Sequence, residues 1–115
     1  MVVYVDVDDT LVRTVGVTRI PIPAAIRHVR ALKEEGAELD LWSSGGAACA
    51  RKSAEELGIA ELFVGFLPKP QVVIDDQEFH EWRALVTVHP NSCEGQDLGY
   101  YRGRLGFPTG LPRED

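Results

Sequence analysis

The chain has 115 residues, of which 44% are hydrophobic and 26% charged, and carries a formal net charge of −6. Those figures suit one globular domain, residues 1–115, with a modest core. No apolar run approaches the ~20 residues that a bilayer-spanning helix needs, so no membrane partner is expected. An acidic chain with no basic face is a poor binder of nucleic acid, which is not expected as a partner either.

The N-terminal run Met1-Val-Val-Tyr-Val-Asp6 lacks a charged leader and a small-residue cleavage site, so it reads as a buried strand rather than a signal peptide. Cys49 and Cys93 match no zinc spacing and no nucleophile motif. Reduced thiols and a cytoplasmic location follow as expectations.

Val2 to Val7 is an apolar, β-branched run broken only by Asp6, the pattern of a strand buried on both faces of a parallel sheet. Val12 to Ile22 carries Gly16 and several β-branched residues and predicts a hairpin or flap. Pro23 opens a helix whose Ile26, Val29 and Leu32 recur at helical spacing and which Gly36 stops. Leu39 to Trp42 predicts a second strand running into the polar turn Ser43-Ser44-Gly45-Gly46, and Ala47 to Leu57 a second helix closed by Gly58.

Leu62 to Phe66 predicts a third strand, and Pro68-Lys69-Pro70 a stiff loop, because each proline fixes its own φ. Val72 to Ile74, ending in Asp75-Asp76, predicts a fourth strand, and Ala84 to Val88 a fifth; from His89 onward the chain, its last ~20 residues above all, reads as irregular. His28 is expected to be exposed on its helix, and Trp42 and Trp82 to lie in the core. Arg13 is expected in a flap salt bridge, and Arg102, Arg104 and Arg113 as solvated charges. Strands alternating with helices predict an α/β domain: a Rossmann-like three-layer sandwich with a mainly parallel sheet.

Ligands of such sheets bind beyond the carboxyl ends of the strands. There the first strand supplies Asp6, Asp8, Asp9 and Thr10, the second Ser43 and Ser44, and the fourth Asp75 and Asp76, with Lys69 in the loop before it. Carboxylates gathered so closely repel one another unless a hard cation sits among them. A cation, a lysine and a hydroxyl around one point make a clamp for a phosphoryl group, which an adjacent aspartate can attack.

Asp6-Val7-Asp8-Asp9-Thr10 resembles the first motif, Asp-x-Asp-x-Thr, of the haloacid dehalogenase superfamily. Leu41-Trp42-Ser43, Lys69 and Val72-Val73-Ile74-Asp75-Asp76 resemble its second, third and fourth motifs, in order and at fitting spacing. The resemblance covers about the first two thirds of the chain. It implies an Mg²⁺-dependent phosphomonoesterase working through an aspartyl-phosphate. Asp6 would be the nucleophile and Asp8 the general acid and then base. Asp6, the carbonyl of Asp8, and either Asp75 or Asp76 would hold Mg²⁺, with Asp9 pointing away. Ser43, or else Ser44, would hydrogen-bond the phosphoryl oxygens, and Lys69 would neutralise them. Neither gap between motifs holds a cap domain, so the resemblance is to the capless members, whose open sites take a phosphorylated substrate, small or macromolecular, or are covered by a second subunit.

A different class, an Mg²⁺-binding regulatory module with little turnover, is the alternative, although the intact Asp6 and Asp8 pair speaks against it. A phospho-acceptor receiver domain has the wrong order: its acceptor Asp lies on the third strand and its lysine after the fifth.

Overall fold

A computed structural model describes residues 1–82 and 84–106. Its main sheet has three parallel strands in the order β1–β4–β5: β1 (Val2–Asp6), β4 (Glu38–Ser43) and β5 (Gly65–Pro68). A separate antiparallel hairpin, β2 (Val12–Val15) with β3 (Thr18–Pro21), stands between β1 and the first helix, α1 (Pro23–Glu34). Helix α2 (Ala47–Glu56) joins β4 to β5, and α3 (Leu98–Leu105) ends the described chain.

Each element follows from its residues. The proline at the first position of α1 has no N–H to leave unpaired and a preset φ. Its Ala25, Val29 and Leu32 are buried on one stripe. On the sheet, Val5 and Leu41 are register partners, and Leu39 and Leu41 are fully buried. These side chains meet α1 through Val29 and Leu32 and α2 through Ala50 and Ala54 in one continuous core. The small alanines of α2 let its backbone come close to β4.

Alternation sends Tyr4, Asp6, Asp40 and Trp42 to the opposite face. There the Tyr4 and Trp42 rings meet edge to face at 5.0 Å, while Val2 and Tyr4 stay about half exposed. The outer edge of β1 has no strand partner among the described residues.

Several expectations change. The third strand lies later, at Gly65–Pro68, because Ala60–Leu62 winds into a 3₁₀ turn first. Among the described residues Val72 to Ile74 joins no ladder, and it is exposed, as are Asp75 and Asp76. Branched apolar side chains favour a strand only where a neighbouring strand and a covering layer receive them, and the described residues offer this segment neither. Ala84 to Val88 likewise forms no strand, although Val88 touches the core. Trp82 is exposed and stacks edge-on with Phe79 instead of entering the core, whereas Trp42 is half-buried.

The stretch after His89 is more ordered than its glycines suggest. Asp97 caps α3 by accepting the Tyr100 N–H at 2.8 Å. Leu98 and Tyr101 of that helix are buried, and Glu35 at the end of α1 accepts the Leu98 N–H at 3.2 Å. Arg113 lies outside the described residues. Both cysteines are free thiols, Cys93 buried and Cys49 half-buried.

His28 is not a free surface residue. Its Nε2 lies 2.6 Å from the Tyr101 hydroxyl, joining α1 to α3. Burial pushes the Tyr101 phenol up to about 12, so the hydroxyl keeps its proton, and the His28 tautomer sets which of the two groups donates. Burial also lowers His28 below its ordinary 6.5, against a smaller opposing pull from Glu35. A base whose folded form resists protonation loses stability as pH falls below that ordinary value, where the unfolded chain takes up the proton first. The urea midpoint should therefore drop between about pH 7.5 and about pH 5.5, and the slope should flatten in His28→Gln. Leu41→Ala, which opens the centre of the core, should cost about 2–5 kcal/mol by the same measurement.

Candidate active site at the carboxyl edge of the sheet

The chain leaves β1 through a tight turn. The Val7 carbonyl accepts three N–H groups, from Thr10 at 3.2 Å, Leu11 at 2.9 Å and Val12 at 3.2 Å. Val7 and Leu11 are fully buried and pin the turn to the core. Asp9 takes a left-handed conformation, φ 61°, which aspartate tolerates better than most residues. Its N–H donates to the Val12 carbonyl at 2.7 Å, and its side chain is exposed, with no hydrogen bond or ion pair to any described residue. The turn carries Thr10 back over β1, where its hydroxyl donates to Asp6 Oδ2 at 3.3 Å.

The other oxygen of Asp6 faces Lys69, with Nζ 3.8 Å from Oδ1. Lys69 reaches it from β5, across β4. The Lys69 N–H donates to the Ser43 carbonyl at 2.8 Å, extending the β4–β5 ladder by one step. Pro68 pairs with Ser43 in register, so Lys69 is turned to the face that carries Asp6 and Trp42. Its ammonium passes 5.8 Å from the Trp42 ring centre, a cation–π contact that supports the long stem between its two neighbours.

Ser43 points the other way. Its hydroxyl is buried, accepts the Gly45 N–H at 3.0 Å and lies 3.7 Å from Cys49 Sγ. It shapes the turn, while Ser44 beside it is exposed. Gly46, at φ 105°, then lets the chain turn sharply into α2. No side chain caps that helix, so its first N–H groups and the positive end of its dipole face the same sheet edge.

Asp8 is exposed and is held by Arg19 of the hairpin, with Nη2 3.4 Å from Oδ1. The flap salt bridge expected of Arg13 is made by Arg19 instead, and Arg13 is exposed with no ion pair among the described residues. Alternation along a two-stranded ribbon decides which arginine faces the body, and no composition signal separates the two. His80 and His89 take no part at this edge. His89 caps a turn by accepting the Asn91 N–H at 3.1 Å.

Asp6 and the main-chain carbonyl of Asp8 are donors of the kind Mg²⁺ takes, since that ion binds one or two carboxylates and completes its shell with water and phosphate. The expected third donor, Asp75 or Asp76, lies in the exposed stretch after Pro70. The Asp75 carboxylate is engaged locally, accepting the Gln77 N–H at 3.0 Å. Among the described residues no group of three or more His, Cys, Asp or Glu side chains is placed to hold a metal. The structure thus joins Asp6, Thr10 and Lys69 at one point, with Ser44 and the α2 terminus on the same edge, and leaves the fourth motif apart. Comparison with protein-family models, curated proteins and solved structures returns no match, so the geometry alone carries the functional reading.

The Lys69–Asp6 pair is partly exposed, and such pairs contribute about 0–1 kcal/mol. Lys69→Ala should accordingly leave the urea midpoint nearly unchanged. Ser43→Ala, which strips the buried acceptor from the Gly45 N–H, should cost about 1 kcal/mol.

Proposed function

We propose that the chain is a capless phosphomonoesterase of the haloacid dehalogenase type, using Asp6 as nucleophile. The observation that carries this is a single carboxylate gripped on both oxygens, by Thr10 at 3.3 Å and Lys69 at 3.8 Å, at the open carboxyl edge of a parallel sheet. A structural aspartate at a strand end needs a cap or a turn partner, not a lysine reaching over a neighbouring strand.

In the proposed reaction an Asp6 oxygen attacks phosphorus, and the ester oxygen leaves with a proton from Asp8. Water then attacks the aspartyl-phosphate, Asp8 takes its proton, and phosphate departs as Asp6 regains its carboxylate. Thr10 keeps the Asp6 carboxylate aimed. Lys69 offsets the negative charge of the incoming phosphoryl group. Ser44 and the α2 N–H groups supply donors for its oxygens, while Ser43, with its hydroxyl buried on the other face, keeps the turn that presents them.

Mg²⁺ is the proposed cofactor, held by Asp6 and Asp8 with Asp75 or Asp76, and when bound it would neutralise phosphoryl charge. The three-layer, Rossmann-like arrangement belongs to the same proposal. It requires the Val72–Ile74 segment to enter the sheet and a layer to cover the face with Tyr4 and Trp42. A cytoplasmic location, a phosphorylated substrate, small or macromolecular, and a second subunit shielding the open site complete the reading.

Hydrolysis of 4-nitrophenyl phosphate tests it. Turnover should require Mg²⁺ and vanish in Asp6→Asn. Lys69→Ala should lose on the order of 10²–10³ in kcat/KM. Mg²⁺ binding without turnover would instead favour the regulatory module, and neither binding nor turnover would sink the site assignment.

A further inference from the structure

The hairpin β2–β3 has little to hold it in place. Residues 13–21 are exposed throughout, and an isolated two-stranded ribbon is marginal in water. Beneath it lies a cavity of about 150 Å³ between the hairpin and α2, lined by Val12, Arg19, Pro21, Ser53, Glu56 and Leu57. Arg19 crosses this gap. Its guanidinium donates to the Ser53 hydroxyl at 3.2 Å, to Asp8 Oδ1 at 3.4 Å and to Glu56 Oε1 at 3.5 Å. Ser53 is buried in a helix face otherwise made of alanine, and its hydroxyl accepts from Arg19.

One side chain therefore ties the hairpin, α2 and the turn after β1 together. Exposed ion pairs each contribute little, but a planar fork engaged by three groups has one orientation. Asp8 is consequently held by Oδ1, and among the described residues nothing hydrogen-bonds its Oδ2.

We infer that Arg19 is a positioning residue: it clamps the hairpin to α2 and aims Asp8 Oδ2 at the water that hydrolyses the phosphoenzyme. The inference rests on the phosphatase reading and adds to it the residue that governs the second half-reaction. In that half-reaction the water oxygen bonds to phosphorus and its proton passes to Asp8 Oδ2. The phosphorus–Asp6 oxygen bond breaks with its electron pair returning to Asp6, and the proton on Asp8 serves the next leaving group or passes to solvent.

A nitrophenolate leaving group departs without a proton, so the first half-reaction with 4-nitrophenyl phosphate does not need Asp8 to be aimed, whereas hydrolysis does. Arg19→Ala should then release a rapid burst of nitrophenolate followed by slow turnover. kcat and KM should fall together, kcat by on the order of 10²-fold, and intact-mass measurement should find phosphate retained on the protein. Arg19→Lys, which keeps the charge but not the fork, should recover part of the rate. Hairpin amides should exchange faster with solvent in Arg19→Ala than in the wild type.

Wild-type kinetics in Arg19→Ala, or a loss of rate with no burst and no retained phosphate, would overturn the inference and leave the phosphatase reading standing. Absence of both nitrophenolate and phosphoenzyme in the wild type would overturn the phosphatase reading, and this inference with it.

Discussion

The carbonyl of Val7, accepting three N–H groups in succession, is the constraint on which the site depends. A strand that simply ended at Asp6 would leave its last polar groups to solvent and its carboxylate free to turn. Here the chain wraps about one oxygen, and fully buried Val7 and Leu11 hold the wrap against the core. The polar residues between those two anchors have no choice of direction. Thr10 returns to Asp6, Asp9 adopts a left-handed backbone that aspartate can accept, and Asp8 is carried outward toward the hairpin. A few apolar contacts thus place these polar side chains, whose own partly exposed pairs contribute little to stability.

The second constraint is strand order. With β4 between β1 and β5, Lys69 can meet Asp6 only by spanning a full strand, about 9–10 Å at the usual strand spacing. Lysine has the stem for this, and Trp42 gives that stem a surface to lie on. The same alternation that sends Asp6, Trp42 and Lys69 to one face sends Ser43 to the other, where its hydroxyl stiffens the turn into α2. Two residues that look equivalent in the second motif, Ser43 and Ser44, acquire different surroundings because a strand reverses its face at every step.

The hairpin shows how a part of the molecule without a core can still have a defined position. Beyond Val12 it buries nothing, and its ends are fixed by that residue, by the Leu11 carbonyl accepting the Ile22 N–H at 2.8 Å and by the turn before it. Between those ends, the polar fork of Arg19 substitutes for packing.

From the sequence alone, much was legible: β-branched runs with period two, alanine and leucine stripes at helical spacing, and Gly46 and Pro23 at the ends where backbone geometry requires them. These local signals placed β1, the hairpin, α1, β4 and α2, and the polar residues at strand ends put Asp6 and Lys69, which the fold brings together, in a candidate set that also held Asp75 and Asp76, which it does not. Pairing was not legible, because a strand exists only with a neighbour. The same apolar composition that makes β1 a strand leaves Val72 to Ile74 unpaired and exposed, with Asp75 and Asp76 beside it. The tertiary structure decided which serine is buried, that Arg19 and not Arg13 crosses to the body, and that His28 is tied to Tyr101. Each of these turns on which face a residue occupies and what lies opposite it, information that resides in the contact between distant segments and not in either segment by itself.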